Sequence, residues 1–211
     1  MKAFVEPIIL YVLLFFGFPM MASGAQAEFQ ALGAAANMLF RTAPALALIW
    51  YLLLKTKSAR EWGLARPGKK DVLPAVAALA VIGAFGAAIV ALAARFGGVP
   101  RAPIPAAPAD PFSWAILSLA IFAGAYLEES YFRFYLLSKR EEMGLGPGRA
   151  LLLSTLLFAL CHLYAGPWAF FNAAACGAAL AWIFLRSRSF HGLGIAHGLY
   201  NVAAFALGAP R

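Results

Sequence analysis

The chain has 211 residues, of which 63% are hydrophobic and only 12% are charged. Soluble domains hold about 45–50% apolar and about 25% charged residues, and a chain of this length cannot bury so much apolar surface in one water-exposed core. The composition therefore excludes soluble globular, disordered and fibrous proteins, and it predicts an all-α, polytopic transmembrane helical bundle. The formal net charge of +8 indicates basic loops beside anionic lipid and does not indicate nucleic-acid binding.

Seven stretches of the chain are apolar enough for a spanning helix, which needs roughly 20 residues. The second stretch is long and carries Arg41 and Pro44, so we expect it to be tilted or broken into an interfacial piece and a span. No internal repeat is visible and no soluble domain fits between the stretches, which predicts one integral-membrane domain over residues 1–211. In chain order the stretches cover approximately 4–22, 29–54, 72–94, 112–137, 149–166, 168–185 and 190–208.

The distribution of Lys and Arg predicts the orientation. With the basic loop 55–70 on the cytoplasmic side, twelve of these residues lie inside and three lie outside, namely Arg95, Arg101 and Arg211. The N-terminus is then cytoplasmic and the C-terminus is outside, in what we expect to be a bacterial inner membrane. A cleaved signal peptide is an alternative interpretation of the first stretch, because small residues follow it at 22–27.

Polar residues mark three of the seven stretches. Ionisable side chains are costly at membrane depth and are usually functional there. The helices that carry them fall within about 112–208. The residues are Glu128, Glu129 and Arg133 in the fourth stretch, His162 in the fifth, and His197 and Asn201 in the seventh.

Helical spacing separates the two adjacent glutamates. Glu129 and Arg133 are four residues apart and share a helix face, so we expect them to form an ion pair. Glu128 lies about 100° away around the helix and has no partner within it. At about 1.5 Å per residue, Glu128 and the histidines His162 and His197 fall at similar depths near mid-membrane, with His162 somewhat displaced.

A carboxylate, two imidazoles and an amide suffice to hydrolyse an acyl bond. Glu128 would take a proton from water, and His162 would hold that water or shuttle the proton. His197 and Asn201 would donate hydrogen bonds to the oxyanion. Zinc bound by Glu128, His162 and His197 is the second possibility, because two His and one Glu form a known catalytic zinc set. We favour the scheme without a cofactor, since Asn201 has no role in the zinc scheme and the chain has no His-Glu-x-x-His sequence.

Three short motifs lie in order on these apolar segments. They are Glu128-Glu129-x-x-x-Arg133, Phe158-x-x-x-His162 and His197-x-x-x-Asn201. Together they resemble the CPBP family, the CAAX protease and bacteriocin-processing (Abi) group of intramembrane glutamic endopeptidases. The resemblance implies that Glu128 is the general base, that His162 positions the water, and that His197 and Asn201 bind the oxyanion. It leaves Glu129, Arg133 and Phe158 in supporting roles.

The same resemblance implies that the partner is a membrane-anchored protein or peptide. Its members act on prenylated CAAX proteins, bacteriocin leaders or C-terminal sorting signals. Two functions of other classes are a non-enzymatic immunity or scaffold protein and a transporter that uses Glu128 and the histidines as a proton relay. A transporter predicts inverted repeats, which the sequence lacks, and a scaffold predicts loss of the polar residues, which are all present.

Overall fold

The computed structural model describes residues 2–16, 31–62, 64, 66–96 and 106–208. Within these residues the chain forms seven main helices and no strand, which confirms the predicted all-α class. Each predicted stretch corresponds to one helix. The helices are α1 Lys2–Phe15, α2 Ala31–Leu54, α3 Lys69–Arg95, α4 Pro111–Ser138, α5 Pro147–Leu160, α6 Pro167–Ser187 and α7 Phe190–Gly208.

The helices have the length and surface of membrane spans. Among the described residues, α2, α3, α4 and α6 are long and apolar enough to cross a bilayer, while α1 and α5 are apolar but shorter. Large apolar side chains are exposed along them, with Leu32 and Phe40 each 83% exposed. Large apolar side chains on a protein surface are stable only where the surrounding medium is also apolar, as in the bilayer interior. The chain is therefore an integral membrane protein, consistent with about seven spans.

Parts of three predictions lie outside the described residues. They are the end of the first span at 17–22, the small residues at 22–27 that follow the alternative signal peptide, and the outer basic residues Arg101 and Arg211. The predicted orientation and the signal-peptide alternative therefore stay predictions.

Prolines define where three of the helices begin. Pro111, Pro147 and Pro167 each stand in the first turn of a helix, where the missing N–H has no helical partner to lose. At the start of α4, the Asp110 carboxylate accepts a hydrogen bond from the backbone N–H of Ser113 at 2.9 Å. The hydrogen bonds from Ser113 lower the pKa of Asp110, so the cap is charged at neutral pH.

Two helices contain a π-helical turn, a rare feature that often marks functional sites. In α2 the turn covers Met38–Thr42 and lies next to Pro44, which has no N–H for the carbonyl four residues before it. The helix continues through this point, so of the two alternatives the break is absent and the tilted span stays a prediction. In α4 the turn covers Ser130–Tyr135, where the Ser154 hydroxyl donates to the Phe132 carbonyl at 2.9 Å.

The chain divides into two compact units, to which α3 and α4 each contribute. The first comprises Met1–Met21, Ala80–Ala102 and Tyr131–Arg188. In it α5 packs closely on α6, because Gly177 has no side chain to obstruct the Phe158 ring. A Cβ at this glycine would lie 2.8 Å from a ring carbon.

The second unit comprises Ala22–Leu79, Pro103–Ser130 and Ser189–Arg211. In it α4 packs on α7. Asp71 joins the beginnings of α3 and α7, since its carboxylate accepts the Gly68 N–H at 2.9 Å and the Ser189 hydroxyl at 2.5 Å. The single domain expected over residues 1–211 stays a prediction.

Candidate active site

The close packing of α4 on α7 rests on two aromatic residues facing two glycines. Phe122 and Tyr126 are four residues apart on α4, and Gly194 and Gly198 are four residues apart on α7. A Cβ at Gly194 would lie 2.8 Å from the Tyr126 ring, and a Cβ at Gly198 would overlap the Phe122 ring. Each glycine of α7 thus leaves room for one aromatic ring of α4. The two helices run antiparallel here, because the later residue of one pair faces the earlier residue of the other.

This packing brings His197 of α7 against Glu129 of α4. The His197 Nδ1 atom lies 2.9 Å from Glu129 Oε1. Side chains lean toward the N-terminus of their own helix, and in antiparallel helices two such side chains lean toward each other. Glu129 is fully buried and the His197 side chain is 6% exposed. With Glu129 ionised, Nδ1 donates the hydrogen bond and the carboxylate fixes the orientation of the ring.

Glu128 faces the other nitrogen of the same ring. Its Oε2 atom lies 3.6 Å from His197 Nε2, and its side chain is 24% exposed. That distance is too long for a direct hydrogen bond. Among the described residues, this buried oxygen has no hydrogen-bond partner. The imidazole therefore stands between two carboxylates, one bonded to it and buried, the other more accessible and separated by a gap.

Asn201 lies one helical turn beyond His197 on α7 and is half-buried. Residues four apart share a helix face, so the amide and the imidazole lie on the same side of α7. Of the predicted site residues, Glu128, Glu129, His197 and Asn201 belong to the second unit.

His162 lies in the first unit and outside a helix, which corrects the predicted span 149–166. The helix α5 ends at Leu160, a short 3₁₀ helix covers Leu163–Ala165, and Gly166, with φ of 94°, and Pro167 then begin α6. The His162 Nδ1 atom donates to the Phe158 carbonyl at 2.8 Å. A carbonyl only accepts, so the proton of the neutral ring lies on Nδ1 and Nε2 is an acceptor.

Phe158 connects His162 with Arg133 in this unit. The Phe158 ring lies 4.8 Å from the His162 ring, and the Arg133 guanidinium lies 4.5 Å from the Phe158 centroid. Arg133 is fully buried, where a cation over an aromatic face is stabilised by the ring quadrupole. The supporting role of Phe158 thus has a physical basis. The predicted ion pair between Glu129 and Arg133 stays a prediction.

The contact of Glu129 with His197 is one that sequence reasoning missed. The two residues are 68 positions apart, and the helical spacing of Glu129 pointed only to Arg133. The signal available was the pair of glycines on α7, which permits a close approach, but nothing in their spacing identifies α4 as the neighbour.

A metal would need at least three ligands. The facing atoms Glu128 Oε2 and His197 Nε2, 3.6 Å apart, are an oxygen and a nitrogen of the kinds that zinc accepts. Across the described residues, no group of three or more His, Cys, Asp or Glu is placed to hold a metal ion. The donor set for zinc is thus incomplete, and we derive no step through a metal.

Comparison with known proteins gives one finding of similarity. The family model described as type II CAAX prenyl endopeptidase Rce1-like matches residues 110–203. No curated protein and no solved structure matches the chain significantly. The matched segment begins at the cap of α4, ends in α7, and contains all the candidate site residues. Residues 110–203 are therefore similar to the type II CAAX prenyl endopeptidases of the Rce1-like family, and this similarity supports the predicted resemblance to the CAAX protease group.

Proposed function

We propose that this chain is an intramembrane glutamic endopeptidase that hydrolyses a peptide bond of a membrane-anchored protein or peptide. The observation that carries the proposal is the gap between Glu128 and His197. A buried carboxylate oxygen that has no hydrogen-bond partner in the described part of the chain faces an imidazole nitrogen at 3.6 Å. Both atoms are then able to form a hydrogen bond with one water molecule. The family match supports a protease in general.

Glu128 is the general base in this proposal. It takes one proton from a water molecule while the water oxygen attacks the peptide carbonyl carbon. The carbonyl oxygen becomes the oxyanion of a tetrahedral intermediate. When the carbon–nitrogen bond breaks, Glu128 returns the proton to the leaving amine. The greater exposure of Glu128 than of Glu129, 24% against 0%, supports the choice between the two carboxylates.

His197 and Asn201 stabilise the oxyanion. In the doubly protonated ring, Nδ1 donates to Glu129 and Nε2 carries the second N–H, which is the donor for the substrate oxygen. Asn201 offers its amide N–H from the same side of α7. A preorganised donor of this kind contributes about 2.7–4 kcal/mol to catalysis. Glu129 is the positioning residue, because it holds the ring through Nδ1.

His162 positions the attacking water. Its Nδ1 is engaged by the Phe158 carbonyl, so Nε2 of the neutral ring is the atom that accepts a hydrogen bond from water. We further propose that the enzyme lies in a bacterial inner membrane with its N-terminus in the cytoplasm. Prenylated CAAX-like proteins, bacteriocin leaders and proteins with C-terminal sorting signals are the substrate classes to test.

A co-expressed reporter panel tests the function. Each reporter is a membrane-anchored fusion protein that contains the cleavage segment of one of the three substrate classes. Immunoblots detect the cleaved product. We expect wild-type protein to cleave one class, and His162→Ala and His197→Ala to cleave it at least about a hundredfold more slowly. The third histidine, His191, is the matched control, and His191→Ala should retain cleavage. Equal cleavage by all three variants would exclude these roles for His162 and His197.

A zinc-dependent protease is the competing proposal. Measurement of bound zinc and of cleavage after chelation distinguishes it from the metal-free protease. Purified protein should contain far less than one zinc per chain, and cleavage should persist after exhaustive treatment with a chelator, because Glu128 alone activates the water. Stoichiometric zinc, with cleavage lost on chelation and restored by zinc alone, would support the metal scheme instead.

A further inference from the structure

An apolar groove lies between α3 and α6 within the first unit. Its volume is about 320 Å³, and every side chain that lines it is hydrophobic. Val81 and Phe85 form the wall on α3, and residues on one face of α6 between Ala175 and Ile183 form the other wall. Ligand pockets in proteins have about 300–1,000 Å³ and mostly apolar walls. The groove is therefore large enough to hold part of a ligand.

The groove runs beside a contact between the same two helices. The Cys176 Sγ atom lies 3.8 Å from the Ile82 carbonyl oxygen, and both residues are buried. The wall on α6 is mostly alanine, whose methyl groups fill little of the space next to this contact. The larger side chains at its edges, Phe85 and Trp182, are 40% and 54% exposed. The groove is thus open to the surroundings of the protein, which are the lipids of the bilayer.

A positive charge lies at one end of the groove. The Arg186 guanidinium lies 5.1 Å from the centroid of the Trp182 ring, which itself lines the groove. The two residues are four apart, so Arg186 extends the same face of α6 by one turn. Arg186 is exposed, and α6 contains no Asp or Glu. Among the described residues, no carboxylate forms an ion pair with Arg186. Its charge is therefore available to a ligand in the groove.

An anionic phospholipid combines the two chemistries that this site accepts, because it has an apolar chain and a negative phosphate. We propose that the groove between α3 and α6 binds one anionic phospholipid, with an acyl chain against the alanines of α6 and the phosphate at Arg186. The predicted orientation places Arg186 on the cytoplasmic side, where anionic lipids are concentrated and basic pockets between spanning helices bind their headgroups. This binding does not depend on the proteolytic function proposed above.

The size of the groove favours a lipid chain over a peptide helix. One turn of an α-helix with its side chains is about 10 Å wide and 5.4 Å long, and so occupies about 420 Å³. The groove holds about 320 Å³, which is less than one such turn. An extended acyl chain is much thinner than a helix and is able to lie along the alanines.

The test measures lipid binding to the full-length protein in detergent by native mass spectrometry. Phosphatidylglycerol is compared with phosphatidylcholine of the same acyl chains, which has no net charge. We expect one phosphatidylglycerol per chain, bound about fivefold more tightly than phosphatidylcholine, as for one Arg beside an anionic headgroup. Arg186→Gln should remove this preference and leave the binding of phosphatidylcholine unchanged. Glycerol 3-phosphate, which has the charge and no acyl chain, should not compete with phosphatidylglycerol.

Arg188→Gln is the matched control, because it removes the same charge from the same end of α6. The Arg188 guanidinium lies 5.0 Å from the Phe184 ring and donates to the Ser138 hydroxyl of α4 at 3.4 Å, and none of these residues lines the groove. This variant should keep the wild-type preference for phosphatidylglycerol. If Arg188→Gln reduces the preference as much as Arg186→Gln does, the lipid responds to the general charge of this helix end and the proposal is overturned.

Ala178→Leu tests the groove itself. The larger side chain fills the space beside α3, so the binding of both lipids should be lost while the far-ultraviolet circular dichroism stays that of a helical protein. Equal binding of the two lipids to wild-type protein would overturn the proposal. So would unchanged lipid binding in Ala178→Leu. If that variant keeps the lipid but loses reporter cleavage, the groove belongs to the substrate, and if it instead dissociates a dimer, the groove is an interface between two copies.

Discussion

Glu128→Gln should lower the rate of peptide cleavage by about 10²–10⁴-fold, the range that general-base catalysis contributes. The substitution keeps the size of the side chain and its partly exposed position beside His197. It removes the ability to accept a proton from water, because an amide oxygen is a very weak base. Cleavage of the accepted reporter by purified protein, followed over time, measures the effect. The melting temperature should stay close to that of the wild type.

Glu129→Gln is the matched control for this prediction. The amide oxygen of glutamine still accepts a hydrogen bond from His197 Nδ1, which lies 2.9 Å from the carboxylate oxygen in the native protein. We therefore expect a smaller loss, about tenfold, because orientation of the ring is kept and only the charge is lost. If Glu129→Gln abolishes cleavage while Glu128→Gln leaves it intact, the two roles are reversed.

Gly198→Ala should both destabilise the protein and abolish cleavage. The new methyl group would overlap the Phe122 ring, so α4 and α7 must separate, and overpacking of this kind typically costs about 1–3 kcal/mol. Gly194→Ala meets the Tyr126 ring at 2.8 Å and should act in the same direction. Separation of these helices lengthens the contact of Glu129 with His197, so cleavage should fall more than the folded fraction does. Thermal unfolding in detergent and reporter cleavage measure the two effects.

Gly124→Ala provides the control on the same pair of helices. Gly124 lies in α4, and a Cβ there meets nothing within 4 Å. Alanine is a better helix former than glycine by about 0.5–1 kcal/mol, so this variant should be as stable as wild type or more stable, with full cleavage. Wild-type melting temperature and cleavage in Gly198→Ala would show that the close approach of α4 and α7 does not hold the site together.

Hydropathy was enough to predict the helical class and the order of the seven helices, whereas the catalytic residues that motif spacing indicates stay a proposal. These features depend on local composition, because an apolar stretch of span length has few alternatives to a helix in lipid. The pairing of Glu129 with His197 was beyond this reasoning. It depends on which helix faces the two glycines of α7, and helix packing in membranes follows shape and not hydropathy.

The sequence also did not predict two features of local structure, namely the π-helical turn in α4 and the end of α5. No residue type in 130–135 requires a π-helical turn. Residues of the turn bond groups far away in the sequence, since the Phe132 carbonyl accepts from the Ser154 hydroxyl and the Tyr131 hydroxyl donates to the Pro7 carbonyl. Gly166 and Pro167 mark the beginning of α6, but the end of α5 at Leu160 has no such signal and hydropathy does not detect it. His162 consequently lies in a turn, bonded to the Phe158 carbonyl, where the sequence placed it inside a span.

The most direct test of Glu128-dependent proteolysis in the membrane needs no prior choice of substrate. Membrane fractions from cells that express either wild-type protein or Glu128→Gln are compared by mass spectrometry of protein termini. We expect new termini, within or next to membrane anchors of a small set of proteins, that appear with wild type and are missing with Glu128→Gln. Identical termini in the two fractions, with both proteins present at equal levels in the membrane, would contradict the proposed protease.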